Sequence, residues 1–74
     1  MKINKIYKLS LKRQKLVDLE INNSVSWIKE NLDVSDREAV MIFTNQEILG
    51  NSLGIYPVSE KLLNSIVNKI YNLI

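Results

Sequence analysis

The side chains that could do chemistry in this sequence are lysines, arginines and carboxylates, because the chain contains no histidine and no cysteine. Histidine is the commonest general base and metal ligand, and a cysteine thiolate is the usual sulfur nucleophile. The only glycines, Gly50 and Gly54, do not form a glycine-rich phosphate loop. We therefore predict a protein that is not an enzyme, with no catalytic residues, no cofactor and no metal site.

A cluster of acids is the one arrangement that resembles a metal site. Asp33, Asp36 and Glu38 fall within six residues, and carboxylate oxygens are the ligands that hard cations prefer. Their spacing matches no calcium-binding loop. The favoured interpretation is that they cap a loop between a helix and a strand.

Basic residues are concentrated at the N-terminus. Residues 1–17 contain six cations and no acid, whereas the rest of the chain has four basic groups against eight acids. Such a segment can bind nucleic acid through phosphates, or it can be a solvated strand face that nearby acids partly neutralise. The lysine excess also permits a third hypothesis, capture of a small anionic ligand between subunits. The candidate nucleic-acid-binding residues are Lys5, Lys8, Lys12, Arg13 and Lys15.

Two stretches near the N-terminus alternate apolar and polar residues, which is typical of half-buried strands. The alternation predicts a hairpin over residues 5–22 in which Leu9 faces Leu19 and Lys8 faces Glu20. The turn would lie at "RQK", which lacks the glycine or asparagine-glycine pair that tight hairpins prefer. A basic amphipathic helix is the competing interpretation.

Two later segments have helical periodicity. Residues 24–32 place three apolar residues on one side of a short helix that Ser24 can cap, with Trp27 to one side of that stripe. Residues 57–74 begin with Pro57, which the first turn of a helix tolerates, and no breaker follows. The apolar arc of this last segment covers about half of the circumference, more than a surface helix needs.

The segment between these helices has two interpretations. Ala39 to Phe43 is apolar at five consecutive positions, which covers every side of a helix but only the two faces of a strand. This favours a hairpin over residues 39–55 that turns at Asn45 and Gln46.

The predicted fold is therefore a single small α+β domain over residues 1–74, ordered β-β-α-β-β-α, with a four-stranded, mostly antiparallel sheet and both helices on one face. The alternative is the N-terminal hairpin followed by an all-helical, helix-turn-helix-like part, because "SDRE" and "TNQE" are capping-box patterns. The stretch from Thr44 to Pro57 loosely resembles bacterial helix-turn-helix sequences. It departs from them at Glu60, where an apolar anchor is expected, and its second helix has no arginine for guanine readout.

Apolar residues make up 46% of the chain, more than a 74-residue monomer readily hides. The sequence therefore predicts self-association as a homodimer or a higher oligomer, or binding to a host or cognate protein. Aromatic residues dominate binding hot spots, and the last helix has a surplus apolar flank. The predicted interface residues are Trp27, Tyr56, Leu63, Val67, Ile70, Tyr71 and Ile74.

The leading functional hypothesis is a small non-catalytic binding or regulatory module that acts through protein-protein contacts. Ile, Asn and Lys account for 27 of the 74 residues, and their codons are AT-rich, which suggests a bacterial or phage regulator or inhibitor. The expected location is the cytoplasm, because cysteine is absent and no apolar run approaches the ~20 residues of a transmembrane helix. A nucleic-acid-binding regulator is the alternative.

Overall fold

The structure is a computed structural model that describes residues 5–74, and these residues are mostly helical. Helix α1 spans Leu11–Asn31 and α2 spans Arg37–Phe43. A π-helical segment, Thr44–Ser52, continues directly from α2, and α3 spans Glu60–Leu73. The predicted four-stranded sheet is wrong: residues 5–74 contain no strand, and their one β contact is an isolated parallel bridge between Ile6 and Val58.

The hairpin predicted over residues 5–22 is wrong because helix α1 begins at Leu11 and runs through the supposed turn and second strand. Lysine, arginine, glutamine and leucine, which fill its first turns, are good helix formers. Ser10 caps the helix, since its Oγ accepts a hydrogen bond from the backbone N–H of Arg13 at 3.3 Å. The period-two pattern was misleading, because three of its apolar members, Tyr7, Leu11 and Leu19, are exposed rather than buried. The competing helical interpretation fits instead. Residues 24–31 of the helix predicted over 24–32 form the last part of α1, so Ser24 lies inside the helix and does not cap it.

The hairpin predicted over residues 39–55 is also wrong, because the chain runs straight from α2 into the π-helical segment. The argument for a strand assumed that all five apolar residues of Ala39–Phe43 needed burial. Only Val40 is fully buried, and Ile42 stays 50% exposed. Thr44, the first residue of the π-helical segment, does not cap it. Its hydroxyl instead donates to the carbonyl oxygen of Val40, one turn earlier in α2, at 2.7 Å.

The helical alternative for the second half of the chain fits the structure. Seven residues connect the π-helical segment to α3, which is longer than the three or four residues of a helix-turn-helix turn. Gly54 lies in this link with φ at +64°, a left-handed conformation that suits glycine. Ser59 caps α3, its Oγ accepting from the N–H of Leu62 at 3.2 Å, and α3 lies inside the range 57–74.

Helices α1 and α3 lie side by side and point in the same direction. Just before them, Ile6 donates its N–H to the carbonyl of Pro57 at 2.9 Å and accepts from the N–H of Ser59 at 2.8 Å. Further along, Lys69 Nζ lies 3.1 Å from Asp18 Oδ1. These contacts place the first turn of α1 beside the first turn of α3 and fix the position of one helix along the other.

The core lies between α1, α2, the π-helical segment and α3, and the first residue of α2, Arg37, also binds α3 at the surface. The guanidinium of Arg37 donates to Asn68 Oδ1 at 2.8 Å and lies 5.4 Å from the ring centroid of Tyr71. The buried apolar residues are Val17, Ile21, Ile28, Val40, Ile48, Leu49, Ile55, Val58, Ile66, Val67 and Ile70.

Candidate protein-binding surface

Helix α1 has two faces that carry apolar residues, and the fold uses only one of them. Val17, Ile21 and Ile28 are at most 1% exposed and form the inner face. On the opposite side, residues at alternating spacings of four and three form a row that we call the outer stripe. All members of the outer stripe are exposed: Lys12, Leu16, Leu19, Asn23, Ser26 and Glu30.

The centre of the outer stripe is apolar. Leu16 is 43% exposed and Leu19 is 58% exposed, and the two are one helical turn apart. Alternation of four and three is the heptad spacing of helices that pack against other helices. The outer stripe therefore has the geometry of a helix-packing surface while no described part of the chain covers it.

The charges along α1 are strongly polarised. Its first seven residues hold three cations, Lys12, Arg13 and Lys15, and no acid, whereas its remaining fourteen hold three acids and one lysine. The N-terminal end of a helix carries a partial positive charge, so cations in the first turn are unfavourable there. This arrangement costs stability within the monomer and leaves one end of α1 electropositive.

An exposed aromatic stack borders the outer stripe. The rings of Trp27 and Phe43 are 4.9 Å apart between centroids and 15° from parallel, a stacked geometry that joins α1 to α2. Trp27 remains 48% exposed, and Ile42, next to Phe43 in the chain, is 50% exposed. Apolar surface therefore continues from α1 onto the end of α2.

The interface residues that the sequence predicts on α3 differ in how deeply they are buried. Val67 and Ile70 have no exposed surface, because α3 turns them into the core. Leu63 is half-buried against the core, and Ile74 is 38% exposed. Tyr71 is half-buried and donates its hydroxyl to the carbonyl of Val34 at 2.8 Å, so it helps to hold the loop before α2.

The other two predicted aromatic residues do not lie on α3. Trp27 belongs to the aromatic stack described above, and Tyr56, 61% exposed, precedes α3. Tyr56 lines an open polar groove along the π-helical segment together with Asn45, Glu47 and Asn51. This groove contains one carboxylate and no cation. The seven predicted interface residues thus do not make one exposed patch.

The predicted nucleic-acid-binding cations lie together at the end of the molecule where α1 and α3 begin. Lys5 and Lys8 belong to the extended segment before α1, the others lie in its first turns, and all five are exposed. The neutralising partners expected from the hairpin do not face them, because Asp18 pairs with Lys69 instead. That is the only ion pair among the residues that the structure describes. The five residues are Lys5, Lys8, Lys12, Arg13 and Lys15.

The acidic residues after α1 take local capping roles. Asp33 accepts hydrogen bonds from the hydroxyl of Ser35 at 2.6 Å and from its N–H at 3.0 Å, and these bonds lower the pKa of Asp33. Asp36 caps α2 by accepting from the N–H of Ala39 at 3.2 Å. Across residues 5–74, no group of three potential metal ligands comes together.

Sequence reasoning missed Leu16 and Leu19 as surface residues, because the hairpin placed Leu19 in the core. The signal was present in the spacing of Leu16, Leu19 and Asn23, which is a heptad pattern once the segment is taken as a helix. Phe43 was also missed, since its contact with Trp27 joins residues far apart in the chain.

No protein-family model matches this chain, and no curated protein or solved structure is significantly similar to it. Over the part of the chain that the structure describes, no helix combines the length and the apolar composition needed to cross a bilayer.

Proposed function

We propose that this protein is a small, non-catalytic binding module of the cytoplasm that acts through protein-protein contacts and works as a homo-oligomer. The observation that carries the proposal is the outer stripe of α1 with its neighbouring aromatic stack. Leu16, Leu19 and Trp27 lie exposed on a helix whose opposite face already supplies the core.

The apolar inventory supports this proposal. Single exposed apolar residues are normal on a protein surface and need no explanation. Here two leucines follow heptad spacing, and the aromatic stack borders the same stripe about two turns further along α1. Exposed apolar side chains grouped on one face in this way mark sites of interaction. Binding would bury apolar area that the fold leaves in water, which is the main source of favourable free energy in association.

Sedimentation velocity over a dilution series from about 1 to about 500 μM tests the proposal, since weak to moderate association has dissociation constants in this range. We expect the weight-average mass to exceed that of one chain at the upper end and to fall on dilution. A monomer at every concentration would overturn the proposal that the protein works as a homo-oligomer.

Nucleic-acid binding is the second candidate function, and the position of the cations favours it. Lys5 and Lys8 lie beside the first turns of α1, so five exposed cations share one end of the molecule. Phosphate contacts of this kind release counterions, so binding weakens steeply as salt rises.

A fluorescence-anisotropy titration with labelled duplex DNA, single-stranded DNA and duplex RNA tests this candidate. We expect affinity to fall sharply between about 50 and about 200 mM salt if the basic end binds phosphates. Replacement of Lys5 and Lys8 by glutamine should weaken binding, whereas the control Lys29→Gln, exposed in the last turn of α1 at the opposite end of the helix, should change it less. Absence of binding at the lower salt concentration would eliminate the candidate.

A further inference from the structure

We infer that the outer stripe of α1 binds the outer stripe of a second copy, with the two α1 helices antiparallel about a two-fold axis at the level of residue 21. The inference rests on the proposed function and specifies its surface, its partner and its geometry. The partner is a second copy of this chain, because Lys12 and Glu30, the two charged ends of the outer stripe, are complementary when the stripe pairs with itself in reverse.

The outer stripe has the symmetry that such a pairing needs. Lys12 and Glu30 stand eighteen residues apart, which is about five full turns, so both lie on the same side of α1. The row between them is about 27 Å long. A two-fold axis midway between them places Lys12 of each copy opposite Glu30 of the other.

The charge pattern selects the antiparallel arrangement over the parallel one. A parallel pair would set Lys12 against Lys12 and Glu30 against Glu30 across the interface. The antiparallel pair instead brings Lys12, at the start of α1, next to Glu30, near the end of the second copy's α1. It also opposes the two helix dipoles, so the first-turn cations that are unfavourable in the monomer gain the negative end of a neighbouring helix.

The side chains between the charged ends also fit this arrangement. In a heptad the two core positions are called a and d, and in an antiparallel pair each a position faces a d position of the other helix. Leu16 then faces Ser26 of the second copy, a large residue against a small one. Leu19 faces Asn23 of the second copy, and these two positions of the stripe lie closest to the axis. Trp27, beside the stripe, would cover Leu16 of the second copy.

A charge swap tests the geometry directly. Lys12→Glu alone and Glu30→Lys alone each create two like-charge contacts by symmetry, so we expect the dissociation constant to rise about tenfold for each. The double variant Lys12→Glu with Glu30→Lys restores opposite charges and should return within about threefold of the unmodified protein. Sedimentation equilibrium at about 50 mM salt is the measurement, because exposed charges are screened less there.

Lys61→Glu is the matched control for Lys12→Glu. Lys61 is exposed on α3 and the substitution makes the same change in net charge away from the stripe. The control should leave association within about twofold of the unmodified protein. An equal loss in Lys61→Glu and Lys12→Glu, or a double variant as weak as the single ones, would overturn the inference.

The apolar centre of the stripe gives a second, larger effect. Leu19→Glu places two carboxylates near the two-fold axis and should raise the dissociation constant at least thirtyfold. Leu11→Glu is the control, because Leu11 is 72% exposed on the same helix but outside the stripe. Far-ultraviolet circular dichroism of both variants should match the unmodified protein, since neither leucine belongs to the core.

The outcomes separate this inference from the proposed function. If the protein associates and neither the charge swap nor Leu19→Glu changes the association, another face is the interface and only the inference fails. If the protein is monomeric at every concentration, the proposed homo-oligomer fails as well. If DNA binding is lost in Lys12→Glu while no self-association exists, the second candidate function replaces both.

Discussion

Helices α1 and α3 begin in the same way and differ in what lies on their outer faces. Each follows an extended residue of the Ile6–Val58 bridge, and each has a serine cap. In α3 the buried residues Ile66, Val67 and Ile70 share one face, and the opposite face is polar. In α1 two exposed leucines, Leu16 and Leu19, lie opposite the buried residues. Helix α3 thus directs the apolar residues of one face into the core of its own fold, whereas α1 also has apolar side chains on a second face, where another molecule can bind.

The largest expected effect separates the two faces of α1. Ile21→Ala should lower the free energy of unfolding by about 2–5 kcal/mol, because Ile21 is 1% exposed and its removal leaves a cavity. Leu19→Ala, two residues earlier, should change it by no more than about 0.5 kcal/mol, because Leu19 is mostly in water. Urea denaturation at a concentration low enough to keep the protein dissociated is the measurement.

Ile70→Ala, in the core face of α3, is the control and should resemble Ile21→Ala. Ile21→Val, which costs about 0.5–1.5 kcal/mol, keeps the comparison measurable if the alanine variant does not fold. A monomer destabilised as much by Leu19→Ala as by Ile21→Ala would show that the fold itself uses both faces of α1.

The two serine caps provide the next contrast. Ser59 is 5% exposed and Ser10 is exposed, although each accepts a hydrogen bond from the third residue after it. Ser59→Ala should cost about 1–2 kcal/mol and Ser10→Ala about 0.5–1 kcal/mol, because water can replace the cap only where it has access. Thermal unfolding of the two variants measures the difference. An equal loss would mean that burial of the cap is irrelevant.

A smaller effect is expected from the ion pair that joins the two helices. The side chains of Asp18 and Lys69 are 46% and 38% exposed, so water and salt screen their attraction. A double-mutant cycle with Asp18→Asn and Lys69→Gln should give a coupling free energy of about 0.2–1 kcal/mol that shrinks at high salt. A larger coupling that salt does not change would contradict the view that apolar packing, rather than charge, joins α1 to α3.

The smallest effect is expected in the loop that follows α1, where Asp33 accepts two hydrogen bonds from Ser35. Because these bonds lower the pKa of Asp33 in the folded chain, their contribution to stability is fully present above pH ~4 and is lost as the pH falls through the folded-state pKa. Ser35→Ala should raise the pKa of Asp33 towards its ordinary value. Carboxyl-carbon NMR titration measures this, with Ser65→Ala on α3 as a control that should leave it unchanged.

The sequence predicted α3 and failed on α1 for the same physical reason. Residues 60–73 have a single apolar face, and only a helix gathers that set onto one side. In residues 11–31, buried Val17 and Ile21 are mixed with exposed Leu16 and Leu19, so no single period describes the segment and the alternation of a strand fits it equally well. A segment with surface apolar residues misleads any argument that assumes apolar means buried.

The π-helical segment shows a second limit. No residue pattern in Thr44–Ser52 predicts that its helical turns are wider than those of an α-helix, and π-helices of this length are rare. Its buried residues, Thr44, Ile48 and Leu49, contribute to a core whose other members lie far away in sequence. The candidate surface was equally hard to predict, because it combines Trp27 of α1 with Phe43 of α2. Of the aromatic residues expected at an interface, only Trp27 borders it.

The bridge between Ile6 and Val58 joins residues fifty-two positions apart and sits where both parallel helices start. Contacts this distant in sequence are slow to form, because a long loop must close before they give any stabilisation. During synthesis, the domain therefore stays open until its last quarter has left the ribosome. Until then the core residues of α1 remain in water together with Leu16 and Leu19, and apolar surface exposed in this way makes an incompletely folded chain prone to aggregation.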